Sequence, residues 1–192
     1  MPVAKTRIEG LLVVRWETFE DERGFFRQTY QLRELEEVLT RDPGLCQGNH
    51  SRSLPGVLRG FHAEPWDKLV YVVRGNAMAA IVDIRPECPT FGEVETFHLG
   101  EPPVGERIRL FICEGLANSF CAYGDSEVDY VYDVSDYWRG GLDKPSLAWD
   151  DPDLAVAWPV EEPLVSEADQ SNPTLRELFP GHPRFHPSRE ET

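Results

Sequence analysis

The sequence lacks any apolar run approaching the roughly 18 residues that a membrane helix requires, so no membrane-spanning helix is expected. It is poor in positive charge. Against 34 acidic residues stand 19 basic ones, for a formal net charge of −15. That balance argues against nucleic acid as a bulk partner, because phosphate backbones are held by many Lys and Arg side chains. It leaves room for a small phosphate-bearing ligand, which needs only a few local cations. The N-terminal stretch Met1 to Arg7 has no apolar core of the kind a signal peptide carries, so a cytoplasmic location is expected. The four cysteines (Cys46, Cys88, Cys113 and Cys121) form no CxxC pair and no disulfide-scaffold spacing. Cys113 and Cys121 lie in apolar runs and are expected as buried thiols. There is no internal repeat and no low-complexity linker.

What is present is strand signal. Leu11 to Val14, Phe25 to Tyr30, Leu69 to Val73, Ala77 to Ile84, Val94 to Leu99, Arg107 to Cys113 and Val128 to Val134 are short β-rich runs. Turn-like segments such as Arg74-Gly75-Asn76 and Glu101-Pro102-Pro103 separate them. Strands at this spacing indicate a sandwich or barrel. Gln31 to Arg41 carries Leu32, Leu35, Val38 and Leu39 at helical spacing and is expected as a helix. Pro173 to Leu178 reads as a short closing helix with Pro in its first turn. At 192 residues the chain is expected to be one domain over residues 1–179, with a flexible tail over 180–192.

The most informative stretch is Gly56-Val57-Leu58-Arg59-Gly60-Phe61-His62, followed by Lys68. A His base, an Arg for a phosphate and a Lys for an oxyanion are the parts needed to remove a proton from carbon next to a carbonyl. In Tyr130-Val131-Tyr132 the alternation points both tyrosines to one side of a strand. Asp169 could orient a His. Residue type alone reads each of these more plainly, as a half-buried strand histidine, a solvated lysine, a packed aromatic and a surface carboxylate.

Ten segments in order resemble the dTDP-4-dehydrorhamnose 3,5-epimerase family. They are Asp21-Glu22-Arg23-Gly24-Phe25-Phe26, Gln47 to Ser51, Gly56 to His62, Lys68-Leu69-Val70, Asp83-Ile84-Arg85, Pro89 to Gly92, Tyr130 to Tyr132, Trp149 to Pro152, Trp158-Pro159 and Ser166 to Asp169. The resemblance implies a mainly β fold, a cupin-type jelly-roll (double-stranded β-helix) with a few short helices. It implies an isomerase that inverts C3, C5 or both in a dTDP-linked 4-keto-6-deoxyhexose, without metal or organic cofactor, as a homodimer. His62 matches the family's base and Asp169 its orienting partner. Lys68 matches the lysine at the ketone oxygen, and Tyr132 the proton donor on the opposite sugar face. Arg23, Phe26, Gln28, Gln47, Asn49, Arg59, Asn118, Tyr137 and Asp143 match positions that handle nucleotide, diphosphate or sugar.

The chain departs from the family pattern around the ligand. The link Ala63-Glu64-Pro65-Trp66-Asp67 is shorter than usual, Asn118 replaces a second site His, Gln28 stands for Glu and Ala168 for Lys. Three other readings follow from the residues. A metal-dependent cupin would extend Gly56-x5-His62 with more ligands, but Glu64 and Asn118 occupy the next His positions, leaving one good ligand. A non-catalytic sugar-nucleotide-binding cupin, or a mono-epimerase on another nucleoside-diphosphate 4-keto sugar, would account for the altered ligand shell.

Overall fold

A computed structural model describes residues 3–15, 17–139 and 145–186. Among these the strands are β1 (Val3–Lys5), β2 (Leu11–Arg15), β3 (Thr18–Asp21), β4 (Gly24–Arg27), β5 (Gln47–Ser53), β6 (Leu58–His62), β7 (Lys68–Arg74), β8 (Asn76–Asp83), β9 (Val94–Gly100), β10 (Ile108–Ile112), β11 (Leu116–Tyr123), β12 (Val128–Val134) and β13 (Ser146–Leu147). Two α-helices, α1 (Leu32–Leu39) and α2 (Leu175–Leu178), complete the regular structure apart from 3-10 turns at Asp169–Ser171 and Pro183–Phe185. Six strands form one sheet in the order β1-β2-β10-β7-β12-β5, and five form a second in the order β13-β6-β11-β8-β9. The ladders in both are antiparallel. The pair β3–β4 stands apart as a hairpin. The mainly β jelly-roll with few helices is the architecture found.

The core follows the period of two that a strand imposes. Leu11 and Val13 of β2, Val70 and Val72 of β7, Ala77, Ala79 and Ile81 of β8, and Leu110 and Ile112 of β10 all point between the sheets. The intervening Ala80 and Val82 face outward and are buried as well, against Phe61, Leu147 and Leu175. Covered on both faces, β8 reads as an unbroken apolar run rather than an alternating one. On the far side of the six-stranded sheet, Leu35 of α1 packs on Leu12, Val14, Leu69 and Phe111. Each such buried Leu or Phe stabilises the fold by about 1.5–3 kcal/mol.

Several expectations change. The run Phe25 to Tyr30 is strand only as far as Arg27. Pro173 precedes the N-cap of α2 rather than entering its first turn. Thr174 caps, in a reciprocal box with Glu177. The segment after Phe179 was expected to be flexible; through residue 186 it packs on the domain, with Phe185 buried beside Phe91 and Leu175. Cys121 is buried, whereas Cys113 is only partly so. Among the described residues no helix is long and apolar enough to cross a membrane.

Candidate active site

A cavity of about 580 Å³ lies between the sheets, walled by β5, β7 and β12 on one side and β6 and β11 on the other. Leu164, Val165, Ser166, Ala168 and Asp169 of the C-terminal segment complete its wall. All four proposed catalytic side chains line it: His62, Lys68, Tyr132 and Asp169. The fold explains why. His62 ends β6 and Lys68 begins β7, so the short link between them delivers both to one place. The Lys68 ammonium donates to the His62 carbonyl at 3.2 Å and to the Glu64 carboxylate. Tyr132 enters from β12, where it pairs with Val70 on one side and Asn49 on the other.

The Nε2 atom of His62 lies 2.8 Å from Oδ1 of Asp169. The carboxylate can only accept, so the ring proton belongs on Nε2 and the lone pair on Nδ1. Asp169 is held in turn by the Gly60 N–H at 3.2 Å, the Ser166 hydroxyl at 3.0 Å and the Asn172 amide at 3.2 Å. Burial pushes its carboxyl up, but hydrogen bonds from His62, Gly60 and Ser166 outweigh that and hold it below the usual Asp value. Gly60 is needed for this contact. A Cβ there would sit 2.9 Å from the Asp169 carboxyl carbon.

The two tyrosines do share the inward face of β12. Tyr130 is buried and stacks on Phe120 at 4.0 Å between ring centres, the position of a packing aromatic. Its hydroxyl and the Oδ1 atom of Asn118 are buried with no hydrogen-bond partner, and both residues line the cavity. Burial raises the Tyr130 phenol strongly, against a smaller lowering by the nearby Asn118 amide. Tyr132 is only partly buried. Burial and the negative charge of Glu64 raise its phenol, with Arg59 opposing. It therefore carries its proton at neutral pH, as an acid must.

Of the expected binding residues, Asn49, Arg59 and Asn118 line the cavity. Gln47 stands behind it, donating to Asn49 at 2.7 Å and accepting from the Trp138 N–H at 3.1 Å. The exposed Tyr137 is not in the cavity wall; its neighbour Trp138 is. Arg23, Phe26 and Gln28 are not brought to the cavity of their own chain. Arg23 and Phe26 sit on the β3–β4 hairpin, and Gln28 just after it. Asp143 lies outside the described residues. Glu64, Trp66, Ser51 and Ser166 also line the cavity and were not among the expected site residues. For Ser166 the Ser-x-x-Asp spacing was a usable signal; Glu64 had none beyond its closeness to His62. Among the described residues no three His, Cys, Asp or Glu side chains converge to hold a metal ion.

The chain and its fold match known proteins closely. A family model described as dTDP-4-dehydrorhamnose 3,5-epimerase matches residues 5–177. The dTDP-4-dehydrorhamnose 3,5-epimerase of Shigella flexneri is 36% identical over 173 residues, covering 88% of this chain and 93% of its own. NovW, a 4-keto-6-deoxy sugar epimerase of Streptomyces spheroides, superposes with a TM-score of 0.86 at 32% identity, covering 93% of this chain and 89% of its own. The epimerase RmlC of Legionella pneumophila, solved in complex with dTDP-4-keto-L-rhamnose, gives a TM-score of 0.82 at 32% identity, with 91% and 92% covered.

Proposed function

The chain belongs to the dTDP-4-dehydrorhamnose 3,5-epimerase family and is an isomerase of sugar nucleotides, and we propose that it inverts the carbons flanking the ketone of a dTDP-linked 4-keto-6-deoxyhexose. The observation that carries the mechanism is the His62–Asp169 pair, 2.8 Å apart, in the same cavity as Lys68 and Tyr132. His62, its tautomer set by Asp169, takes the proton from carbon next to the ketone through Nδ1. Charge moves to the ketone oxygen, where the Lys68 ammonium stabilises the enolate. The carbon is then planar, and Tyr132 returns a proton from the opposite face. The phenolate and imidazolium exchange protons with water to reset the site. Arg59 supplies a forked donor for the diphosphate.

The protein acts as a homodimer in this reading. Arg23, Phe26 and Gln28 lie outside their own chain's cavity, and the hairpin exposes Phe19, Phe25 and Phe26. A second copy that received this hairpin at its cavity would gain the nucleotide contacts. Proton NMR of dTDP-4-keto-6-deoxyglucose in deuterated water tests the function. Deuterium should enter at C3 and C5 with wild type and at neither with His62→Ala. Entry at one carbon would restrict the enzyme to mono-epimerisation, and exchange surviving in His62→Ala would overturn the assignment of the base.

A further inference from the structure

Glu64 lies in the link between β6 and β7 and lines the same cavity as His62, Lys68 and Tyr132. Its carboxylate accepts from the Lys68 ammonium, and the two side chains are only 16% and 5% exposed. An ammonium so buried needs a partner to remain charged, and only the charged form donates strongly to an enolate oxygen. The carboxylate also acts on Tyr132, whose phenol it helps to keep protonated. A single side chain thus biases two of the groups that the reaction requires to carry protons.

We propose that Glu64 is a positioning residue of the epimerase site, holding Lys68 in place as an ammonium until the ketone oxygen takes up the Lys68 donor. The inference rests on the sugar-nucleotide reading above. Among the described residues, the other charged or titratable groups on this space are Arg59 and His62 of β6, Tyr130 of β12 and Asp169 of the C-terminal segment. Asp169 is committed to His62, and Arg59 donates to Ser53 and to the Arg52 carbonyl. Asp67, next to Lys68, turns to the other side, where it accepts from Arg41 and from the Glu114 N–H. Arg109 of the adjoining β10 lies over Tyr71 on the far face of the sheet. Among the described residues Glu64 is therefore the carboxylate paired with Lys68.

The chain contains three lysines, Lys5, Lys68 and Lys144, so NMR of protein labelled with carbon-13 at lysine Cε resolves Lys68 directly. Its signal is assigned by loss in Lys68→Met, or by elimination with Lys5→Arg and Lys144→Arg if that variant does not fold. In Glu64→Gln the Lys68 signal should titrate on the order of one pH unit or more below its wild-type midpoint. The alkaline limb of the deuterium-exchange rate should move the same way, with a smaller loss on the acid side, and Glu64→Asp should restore most of both. An unshifted Lys68 titration in folded Glu64→Gln would overturn the proposal, as would an equal loss of rate at every pH. The lysine titration needs no substrate, so it tests Glu64 even if wild type fails to exchange, which would sink the functional reading instead.

Discussion

Four donors converge on the Asp169 carboxylate: His62, the Gly60 N–H, Ser166 and Asn172. A carboxylate held this way orients the imidazole and stabilises its charged form rather than taking its proton. Asp169→Asn should therefore slow deuterium exchange by about 10²-fold or more, with nucleotide affinity measured by calorimetry little changed. Gly60→Ala drives a methyl against the same carboxyl and should cause a similar loss. Because both act through one contact, the double variant should be scarcely slower than either alone; additive losses would show that Gly60 acts elsewhere. The pH dependence of stability has a definite sign. The folded pKa of Asp169 is depressed, so its stabilisation is full above the unfolded value of about 3.9 and is lost as pH falls through the folded one. Urea midpoints of wild type and Asp169→Asn should stay apart above about pH 5 and draw together as pH falls below about 4 through the folded value of Asp169. A gap unchanged across that range would refute the assignment. At this scale His62, Lys68, Tyr132 and Asp169 were legible because short motifs mark them. Glu64 and Asn172 were not, since each matters only through a partner that folding brings near.

The element that sets Asp169 in place is the C-terminal segment. Leu164 exchanges backbone hydrogen bonds with Gly56 and Leu58, the turn at Asp169–Ser171 follows, and Ala148 donates to the Pro173 carbonyl. Leu175 then inserts into the outer cluster with Phe61 and Leu147, and its N–H reaches the buried Asp151 carboxylate at 2.6 Å. Leu175→Ala should cost about 2–5 kcal/mol by urea unfolding, and should slow exchange because the segment it anchors carries Asp169. Thr174→Ala removes only a half-buried cap and should cost about 1 kcal/mol. Equal costs would mean that the cap, not the buried leucine, fixes the segment. The same comparison explains which elements the sequence disclosed. The period of α1 and the apolar run of β12 announce themselves locally. By contrast, β5 (Gln47–Ser53) is made of Gln, Gly, Asn, His, Ser and Arg, poor strand formers that are held extended by seven paired positions on β12. Strand β11 interrupts its apolar run with the polar Asn118 and Ser119 and was not among the expected strand runs. Yet it lies between β6 and β8 with eight paired positions on β8, and Ser119 donates to the Arg59 carbonyl at 2.6 Å. Tertiary pairing overrode local propensity in both.

At the scale of the whole molecule, one part of the expected site is separated from the rest. The β3–β4 hairpin is tied down by ion pairs: Arg107 pairs with Glu20 and Glu101, and Arg27 with Glu101. Its phenylalanines are left in solvent, with Phe26 66% exposed. Exposed apolar clusters of this kind mark interaction surfaces, and a two-fold dimer would offer each hairpin to its partner. If the hairpin of one chain completes the cavity of the other, two defective chains should complement each other. A chain carrying His62→Ala keeps a sound hairpin, and one carrying Arg23→Ala with Phe26→Ala keeps a sound base. Dissociated and reassembled together in equal amounts, half the dimers would be mixed. Each mixed dimer would hold one site with an intact His62 and an intact hairpin from its neighbour. By that counting the mixture should regain about a quarter of wild-type exchange, where each variant alone shows far less. A hairpin serving its own chain would leave every site with one defect, and no activity would return on mixing. The experiment separates the two arrangements without a structure of the dimer, because only exchange between chains can rebuild a site from two broken ones.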